Sequence, residues 1–330
     1  MPRRRSELAR RALAAWLVVL ALVMTSLPTR ARPAFAQVPP AGVSAGASAT
    51  PHDMAPDNTV LPDGGGPDVA RTGAAWWHPG RLSSWQYDLE WPVAVPTNIG
   101  PVQVYDIDYD GSEQGTKAQV ATVVSKIHAE GGRAICYMET GGWENYNPDA
   151  ARYPKSVLGL PISGYPDERY VDIRRWTALA PILEARFRQC KAEGFDGVET
   201  DIDDSYTDQT GFPLTLADEV TFDTEVAKAV HALGLAWFLK NGINDDAFIT
   251  DMEPLADGTV NEQCWQYQEC AQLAPFVKAG KPILNVEYAG LPQAPTCRQA
   301  VTFPMATMHT DVNLNGKIAW ACWQLAKPRR

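Results

Sequence analysis

The sequence lacks the residue patterns that hold a zinc ion. It has no Cys-x-x-Cys pair, and its five histidines, His52, His78, His128, His231 and His309, stand singly along the chain. Structural and catalytic zinc sites are built from cysteines and histidines at short, characteristic spacings. The sequence therefore argues against structural zinc and against a metal-dependent deacetylase, and we expect neither a metal site nor a cofactor.

The sequence also lacks an apolar run of the length that a membrane-spanning helix needs. Its longest such run, residues 12–24, follows a cluster of arginines and precedes the small-x-small segment Ala34-Phe35-Ala36. This order is typical of a secretory signal peptide, and the run is short for a spanning helix. We predict a signal peptide over residues 1–36 and a secreted, extracellular protein. An uncleaved membrane anchor is the alternative.

Basic residues are fewer than acidic ones. The chain has 29 Lys and Arg against 39 Asp and Glu, and removal of residues 1–36 takes away seven Arg and one Glu, so the formal charge goes from −10 to 22 − 38 = −16. A field of that sign repels nucleic acid and anionic membranes and attracts cationic ligands to an acid-lined cleft. We expect no nucleic-acid partner, no membrane partner after signal cleavage, and a monomer. Solubility alone is the other explanation of the acidic balance.

Six cysteines remain after residue 36. They are Cys136, Cys190, Cys264, Cys270, Cys297 and Cys322. An even number in an exported chain suggests disulfide bonds. Cys264 and Cys270 are close enough to close a small loop, while Cys136 with Cys190 and Cys297 with Cys322 would complete one of fifteen possible connectivities. Two buried free thiols at Cys264 and Cys270 are the alternative.

The chain changes character at Trp76. Residues 37–75 are rich in Pro, Gly, Ala and Ser, with almost no apolar periodicity, which is typical of a disordered linker. Residues 76–330 alternate short apolar runs with helix-like segments and contain no solenoid repeat. We predict eight strands, at 84–89, 102–107, 133–138, 197–201, 235–240, 258–262, 283–287 and 317–323.

Helix-like segments lie between these strands. Residues 117–130, 178–193 and 217–233 carry apolar stripes, and each is followed by glycine, a common helix stop. Strand, helix and glycine recurring in this order indicate parallel βα units. Residues 76–330 are therefore predicted to form an α/β fold, a single-domain (β/α)8 TIM barrel, which commonly uses about 250 residues.

Acidic side chains recur where the predicted strands end. They are Asp106, Asp108, Glu139, Glu199, Asp201, Glu262 and Glu287, with the polar neighbours Tyr137, Lys240, Asn241 and Tyr288. In a TIM barrel the chemistry gathers at the carboxyl ends of the strands. Aromatic residues that flank these ends, among them Tyr267 and Trp323, suit a sugar ligand, although core packing is the ordinary role of a single tryptophan.

Asp201 and Glu262 are the pair that suits a reaction. Asp201 lies in a run of four acids within six residues, and Glu262 follows another apolar strand. Two carboxyl groups at the ends of different strands can together catalyse glycoside hydrolysis. One protonates the leaving oxygen, and the other either attacks the sugar or activates a water molecule. A solvated acidic loop is the alternative for any one of these acids.

Segments along almost the whole domain resemble one family. They are Cys136-Tyr137 with Gly141, Glu144 and Pro148-Asp149; Tyr170-Val171-Asp172-Ile173; Asp196-Gly197-Val198-Glu199 with Asp201; Leu239-Lys240-Asn241; Asn261-Glu262-Gln263-Cys264 through Tyr267, Glu269 and Cys270; and Gly280-Lys281-Pro282 with Glu287-Tyr288. The chain from about Trp85 to Trp323 is similar to glycoside hydrolase family 114, the secreted TIM-barrel endo-α-1,4-polygalactosaminidases.

The resemblance implies a function and a set of site residues. It implies cleavage of an α-1,4-linked galactosamine-containing polysaccharide, a cationic polymer, with Asp201 and Glu262 as the catalytic carboxylates. The expected substrate-binding residues are Asp106, Asp108, Tyr137, Glu144, Glu199, Asp204, Lys240, Asn241, Tyr267, Glu287, Tyr288 and Trp323.

Two alternatives stay open. A barrel that binds amino-sugar polymer without cleaving it is the first, because a fold does not guarantee chemistry. A hydrolase of another α-linked glycan is the second, because Thr200-Asp201-Ile202 stands where the family usually has Pro-Asp-Asn. The sequence does not assign the acid and the nucleophile or base within the pair.

Overall fold

The computed structural model of the protein describes residues 76–109, 116–243, 245–288 and 290–325, apart from the side chains of residues 301 and 302. The predicted signal peptide over residues 1–36 and the predicted linker over residues 37–75 lie outside the described residues, as does the end of the predicted domain from residue 326. Within the described ranges, no helix is both long and apolar enough to cross a membrane.

Two sheets account for the strands of the described residues. The strands are β1 Trp85–Asp88, β2 Val104–Asp108, β3 Arg133–Glu139, β4 Gly142–Glu144, β5 Leu158–Ile162, β6 Tyr165–Val171, β7 Gly197–Asp201, β8 Ala236–Lys240, β9 Gly258–Glu262, β10 Ile283–Glu287, β11 Ala306–Thr310 and β12 Ile318–Ala321. The larger sheet has the order β1-β2-β3-β7-β8-β9-β10-β11-β12, and β4-β6-β5 form a small antiparallel sheet. Every neighbouring pair from β1 to β11 in the larger sheet is parallel.

The eighth parallel strand is not the one that we predicted. Residues 317–323 were expected to form it, but β11 takes that place, and β12 runs antiparallel to β11. Near the edge between the last strands and β1, the Trp85 indole donates to the Ala306 carbonyl at 2.8 Å, and Leu89 N donates to the Leu314 carbonyl at 2.7 Å. The sheet therefore curves into a nearly closed (β/α)8 barrel, and the predicted fold class is confirmed.

All but the last of the helices of the described residues lie between strands along the chain. They are α1 Lys117–Ala129, α2 Trp176–Glu193, α3 Leu216–Ala232, α4 Asp246–Met252, α5 Cys264–Tyr267, α6 Ala274–Ala279, α7 Gln293–Thr302 and α8 Cys322–Leu325. Helix α3 begins with a capping box, in which Thr215 and Asp218 satisfy each other's backbone N–H groups. Gly131, Gly194 and Gly234 follow α1, α2 and α3 with positive φ, so the glycine stops predicted from the sequence are confirmed.

The two faces of the barrel wall pack into different apolar clusters. The inner cluster includes Trp85, Val104, Ile135, Phe238 and Leu284, whose side chains fill the barrel. The outer cluster packs strand residues against helix residues and includes, among others, Val198 and Trp237 with Phe187 of α2 and Phe222 of α3. Strands that are buried on both faces are usual in parallel sheets. Inside the barrel, acidic and other polar side chains follow the apolar ones towards the carboxyl ends of the strands.

Three disulfide bonds join the six cysteines. Cys136 pairs with Cys190, Cys264 with Cys270, and Cys297 with Cys322. The first ties β3 to α2, the second closes the short loop after β9, and the third joins α7 to α8. All three pairings considered from the sequence are therefore present.

Candidate active site

Three neighbouring strands bring Asp201, Lys240 and Glu262 to one cavity. These residues end β7, β8 and β9, and they line a cavity of about 290 Å³. The residue after each of them has a left-handed backbone, with φ of 66° at Ile202, 51° at Asn241 and 63° at Gln263. Such conformations are costly for residues other than glycine and often mark functional sites. Here each one turns the chain sharply directly after a charged side chain.

Lys240 is the buried cation at the centre of the site. Its side chain is 2% exposed. Its Nζ lies 3.2 Å from Asp201 Oδ2, 3.3 Å from Glu262 Oε2 and 3.3 Å from Glu199 Oε1, and it donates to the Tyr87 hydroxyl at 2.9 Å. Burial alone would lower the pKa of Lys240, but the surrounding carboxylates raise that pKa well above its usual value. Lys240 is therefore held as a charged ammonium.

Asp201 is surrounded by donors that favour its ionised form. Its Oδ2 accepts from the Tyr137 hydroxyl at 2.7 Å and from Lys240, and its Oδ1 accepts from Ile202 N at 2.9 Å. Burial would raise the pKa of Asp201, but Lys240 and these hydrogen bonds together lower it below its usual value. The side chain keeps 19% exposure, so an ionised carboxylate faces the cavity.

Glu262 has a different set of neighbours. Its Oε2 accepts from Asn241 Nδ2 at 3.0 Å and lies beside Lys240, and the Tyr288 hydroxyl meets its Oε1 in a short hydrogen bond. A tyrosine hydroxyl either donates or accepts, so it can partner either the ionised or the protonated form of the carboxyl group. Glu262 is 25% exposed. Like Asp201, it therefore reaches the cavity beside Lys240 and has a tyrosine hydroxyl as a partner.

Two further acids lie deeper inside the barrel. Glu199 and Asp106 have no exposed surface. Glu199 Oε1 accepts from the Tyr87 hydroxyl at 3.2 Å and lies beside Lys240. Burial raises the pKa of Glu199 and that of Asp106, and the carboxyl group of each lies within hydrogen-bonding reach of the other. These two acids support the floor of the cavity.

A second group of buried acids lies on the outer face of β7. Asp203, Glu219 and Asp223 are at most 1% exposed, and the last two belong to α3. Burial raises the pKa of each of the three. Among the described residues, none of them has a basic partner within ion-pair distance. We call these three residues the outer acidic group.

The cavity walls carry further acids and an aromatic ring. Glu139, the last residue of β3, and Glu168 of β6 line the cavity with Tyr165, which begins β6 and is 40% exposed. A second cavity of about 480 Å³ adjoins the first, and Asp204, Asn241 and Glu262 line both. Exposed Tyr267 lines the second cavity. The open space therefore extends to both sides of Glu262.

One cluster of acids is compact enough for a cation. Oxygen atoms of Glu139, Glu144 and Glu168 lie within 4.8 Å of one another, and it is the one such group among the described residues. The Tyr146 hydroxyl lies 2.6 Å from Glu144 Oε1 and 3.0 Å from Glu168 Oε1. Protein hydrogen bonds thus already join two of these acids.

The structure brings many of the predicted site residues together. Those that line the two cavities are Tyr137, Asp201, Asp204, Lys240, Asn241, Glu262 and Tyr267. Tyr288 reaches the same place through its contact with Glu262. Lys240 lies beneath Asp201 and Glu262, and its Nζ contacts both carboxyl groups.

Other predicted substrate-binding residues do not line the two cavities. Asp106 and Glu199 are sealed below the cavity, and Asp108 and Glu144 are at least 95% buried and do not line it. Glu287 is fully buried and accepts from Trp265 N at 2.9 Å and Gln266 N at 3.3 Å, which anchors α5. Trp323 lies in α8 and packs against the apolar clusters.

The sequence analysis missed part of the site. Tyr87, Glu90, Tyr165 and Glu168 line the cavity but were not proposed. Tyr87 lies within the predicted first strand, two residues after Trp85 and so on the same face, and the alternation of strand residues could have placed it inside the barrel. Tyr165 and Glu168 lie in a hairpin whose strands were not predicted, and no pattern in the sequence placed them at the site.

A TIM barrel with carboxyl groups converging on a cavity at the carboxyl ends of its strands is typical of glycoside hydrolases. The chain belongs to one of their families, since the model of glycoside hydrolase family GH114 matches residues 66–324. The protein is therefore a glycoside hydrolase. Among curated proteins, no sequence matches this chain.

Solved structures are similar to this chain as well. A crystal structure of Aspergillus fumigatus Ega3 in complex with galactosamine is similar, with 27% identity, a TM-score of 0.64, and coverage of 75% of this chain and 98% of that one. The glycoside hydrolase domain of PelA from Pseudomonas aeruginosa shares the fold, with 14% identity, a TM-score of 0.51, and coverage of 73% of this chain and 98% of that one.

Proposed function

We propose that the protein is an exported, monomeric hydrolase that cleaves α-1,4-linked galactosamine-containing polysaccharide, with Asp201 and Glu262 as the reacting carboxyl groups. The observation that carries this proposal is the contrast in exposure among the four acids around Lys240. Asp201 and Glu262 reach the cavity with 19% and 25% of their side chains exposed, whereas Glu199 and Asp106 have no exposed surface. A reacting carboxyl group must touch the substrate, so the exposed pair is the one that can act.

The surroundings of the pair support a division of roles. Asp201 is held ionised by Lys240, Tyr137 and a backbone N–H, which suits a nucleophile. Glu262 is the other carboxyl group of the pair that reaches the cavity, so the role of the general acid falls to it. We therefore assign Asp201 as the nucleophile and Glu262 as the acid and base.

The spacing of the pair supports retention of configuration. One nitrogen, Lys240 Nζ, lies 3.2 Å from Asp201 Oδ2 and 3.3 Å from Glu262 Oε2, so these two oxygens are at most 3.2 + 3.3 = 6.5 Å apart. Retaining enzymes place their carboxyl groups about 5–5.5 Å apart, and inverting enzymes need about 6.5–9.5 Å to admit a water molecule. The upper limit for these two oxygens admits the whole retaining range and excludes all but the lowest end of the inverting range.

The proposed reaction has two steps. Glu262 protonates the glycosidic oxygen while Asp201 attacks the anomeric carbon, so the bond to the leaving sugar breaks and a glycosyl ester of Asp201 forms. Glu262, now ionised, takes a proton from water as that water attacks the anomeric carbon and releases Asp201. Two inversions give an α product.

The substrate class is supported by charge. The chain without residues 1–36 has a formal charge of −16, and Glu90, Glu139, Glu168 and Asp204 line the cavity together with the reacting pair. Ammonium groups of a galactosamine polymer would be attracted to such a cavity. The likeness to Ega3, whose structure holds galactosamine, points to the same sugar.

The test is hydrolysis of a defined polymer. The protein without residues 1–36 is incubated with deacetylated galactosaminogalactan, and released oligosaccharides are measured by mass spectrometry. Asp201→Asn and Glu262→Gln should each lower the rate by a factor on the order of 10³ or more, because each removes a reacting group. Full activity in both variants would refute the site.

Two further outcomes would redirect the proposal. Tight binding of polymer without any product would favour a polymer-binding barrel, and faster cleavage of a neutral α-glycan would favour a different substrate. Proton NMR of the first product formed should show the α anomer, and a β anomer would refute retention.

A further inference from the structure

The buried acids Asp106 and Glu199 raise a question that the proposed reaction leaves unanswered. Both lie inside the barrel with no exposed surface, and each carboxyl group is within hydrogen-bonding reach of the other. Glu199 Oε1 meets the Tyr87 hydroxyl and Lys240 Nζ. Glu199 Oε2 and both oxygens of Asp106 receive no hydrogen bond from any N–H or O–H group of the described residues.

Two ionised carboxylates could not share this place. Like charges in contact repel, and a carboxylate without donors in the barrel interior would be strongly destabilised. Lys240 contacts Glu199 but is already shared with Asp201 and Glu262. One ammonium cannot neutralise four carboxylates. A single proton between Asp106 and Glu199 removes one negative charge and also supplies the missing hydrogen bond.

We propose that Asp106 is a positioning residue, whose neutral carboxyl group donates its proton to Glu199 Oε2 and so leaves Glu199 with the one negative charge of the pair. The burial of Asp106 and the raised pKa of its carboxyl group agree with this state. The other ionisable groups that face the pair are Tyr87 of β1, Asp201 of β7 and Lys240 of β8. Glu262 of β9 adds a more distant charge.

The proposal explains how the ammonium keeps its position. With Asp106 neutral, Lys240 is balanced between Glu199 below and the reacting pair above. If Asp106 were ionised, a further negative charge would attract the ammonium downward, away from Asp201 and Glu262, and would also raise the pKa of Asp201. This effect on catalysis rests on the proposed function, whereas the shared proton itself does not.

Infrared difference spectroscopy tests the shared proton directly. Burial raises the pKa of Glu199 to about 7, so spectra of the wild-type protein and of Asp106→Asn are compared at about pH 9, where Glu199 is ionised, in the carbonyl band of protonated carboxyl groups. The asparagine amide can donate to Glu199 Oε2 in place of the proton, so Glu199 stays ionised and the variant should lack one protonated carboxyl group. An unchanged band would overturn the proposal. This measurement decides the question even if the protein cleaves no polymer.

A kinetic comparison tests the positioning role. Asp106→Asn restores a donor and should keep kcat near the wild-type value, whereas Asp106→Leu supplies none and should lower kcat about tenfold, the effect expected when a charged acceptor loses its donor. Equal kcat in the two variants would refute the role. Asp223→Asn is the matched control, because it also removes a buried acid with raised pKa but lies outside the barrel, and it should leave kcat unchanged.

Thermal unfolding followed by circular dichroism shows whether each variant is folded. If Asp106→Leu does not fold, the infrared comparison of Asp106→Asn with the wild-type protein still decides the proposal.

Discussion

The acids inside the barrel and the outer acidic group both include residues of the segment 199–203, but only the inner acids contact a basic side chain. Glu199 and Asp201 point into the barrel, and Asp203 points to α3, where it lies near Glu219 and Asp223. Lys240 joins the two regions. Its Nζ contacts the inner acids, while its backbone N–H donates to Asp203 Oδ2 at 3.0 Å.

The two groups of acids differ in whether a basic side chain contacts them. Inside the barrel, Lys240 holds the pKa of Asp201 below its usual value in spite of burial. In the outer acidic group no basic side chain of the described residues is within ion-pair distance, and burial raises the pKa of every member. Burial alone therefore raises the pKa of an acid, and one buried ammonium is what allows Asp201, the proposed nucleophile, to stay ionised.

Replacement of the cation should have the largest effect. In Lys240→Met the inner acids lose their ammonium and take up protons as the outer acidic group does, so Asp201 is no longer ionised at neutral pH. We expect kcat to fall by a factor on the order of 10³, as when a preorganised charge is removed from an active site. Steady-state kinetics on the deacetylated polymer measures it.

Lys228→Met, an exposed lysine of α3 paired with Glu225, is the control for loss of a positive charge and should keep kcat. Near-wild-type activity in Lys240→Met would mean that the ammonium is not what keeps Asp201 ionised.

Removal of an outer acid should stabilise the protein in a pH-dependent way. The pKa of Asp223 is raised on folding, so the folded state binds that proton more tightly than the unfolded chain. The stability that comes from this proton is present below about pH 4 and is lost as pH rises towards the folded pKa. Asp223→Asn should raise the free energy of unfolding by on the order of 1–3 kcal/mol at neutral pH.

Urea unfolding at neutral pH and near pH 4 checks this expectation. The gain should be almost lost at the lower pH, where the folded carboxyl group is protonated and about half of the unfolded chains carry that proton too. A gain of the same size at both values would mean that packing, and not charge, causes it.

Replacement of Asp204 should have the smallest effect of the three, and one that varies with pH. Asp204 lies between the two regions and lines both cavities. Burial, with Asp208 and Asp201 nearby, raises the pKa of Asp204 to about 6. Its ionised form attracts an ammonium group, so KM for the deacetylated polymer should fall severalfold as pH rises from about 5 to about 7. Asp204→Asn should weaken that dependence, and a fully acetylated polymer is the control. A wild-type KM that does not change with pH would exclude Asp204 from substrate binding.

Much of the barrel was predictable because its strands are short apolar runs followed by glycine-stopped helices. The eighth strand was not, because Ala306–Thr310 contains two threonines and a histidine, whereas the later segment around Trp320 is more apolar. The small sheet was missed for a similar reason. Strand β4 has three residues, and β5 and β6 each contain a proline, which is uncommon inside strands.

The site was predictable as a set of acids at one end of the barrel but not as an arrangement. Glu287 and Glu262 both end apolar strands, yet Glu262 enters the cavity and Glu287 anchors α5. A strand that is buried on both faces gives no alternation of polar and apolar residues to tell its faces apart. The role of Lys240 could not be predicted either. The sequence shows that a lysine ends β8, but not that its side chain lies buried under the carboxylates.

The contacts of Lys240 tie the chemistry to the completion of folding. Its ammonium meets Tyr87, 153 residues earlier in the chain, as well as residues of β7 and β9. Contacts between distant parts of a chain form slowly, because the intervening loop must first be closed. No half of the barrel contains all of these partners, so a chain that lacks part of the barrel cannot hold the proposed reacting pair around Lys240. During folding, enzymatic activity should therefore appear only when the barrel is complete, after the signals of secondary structure have been recovered.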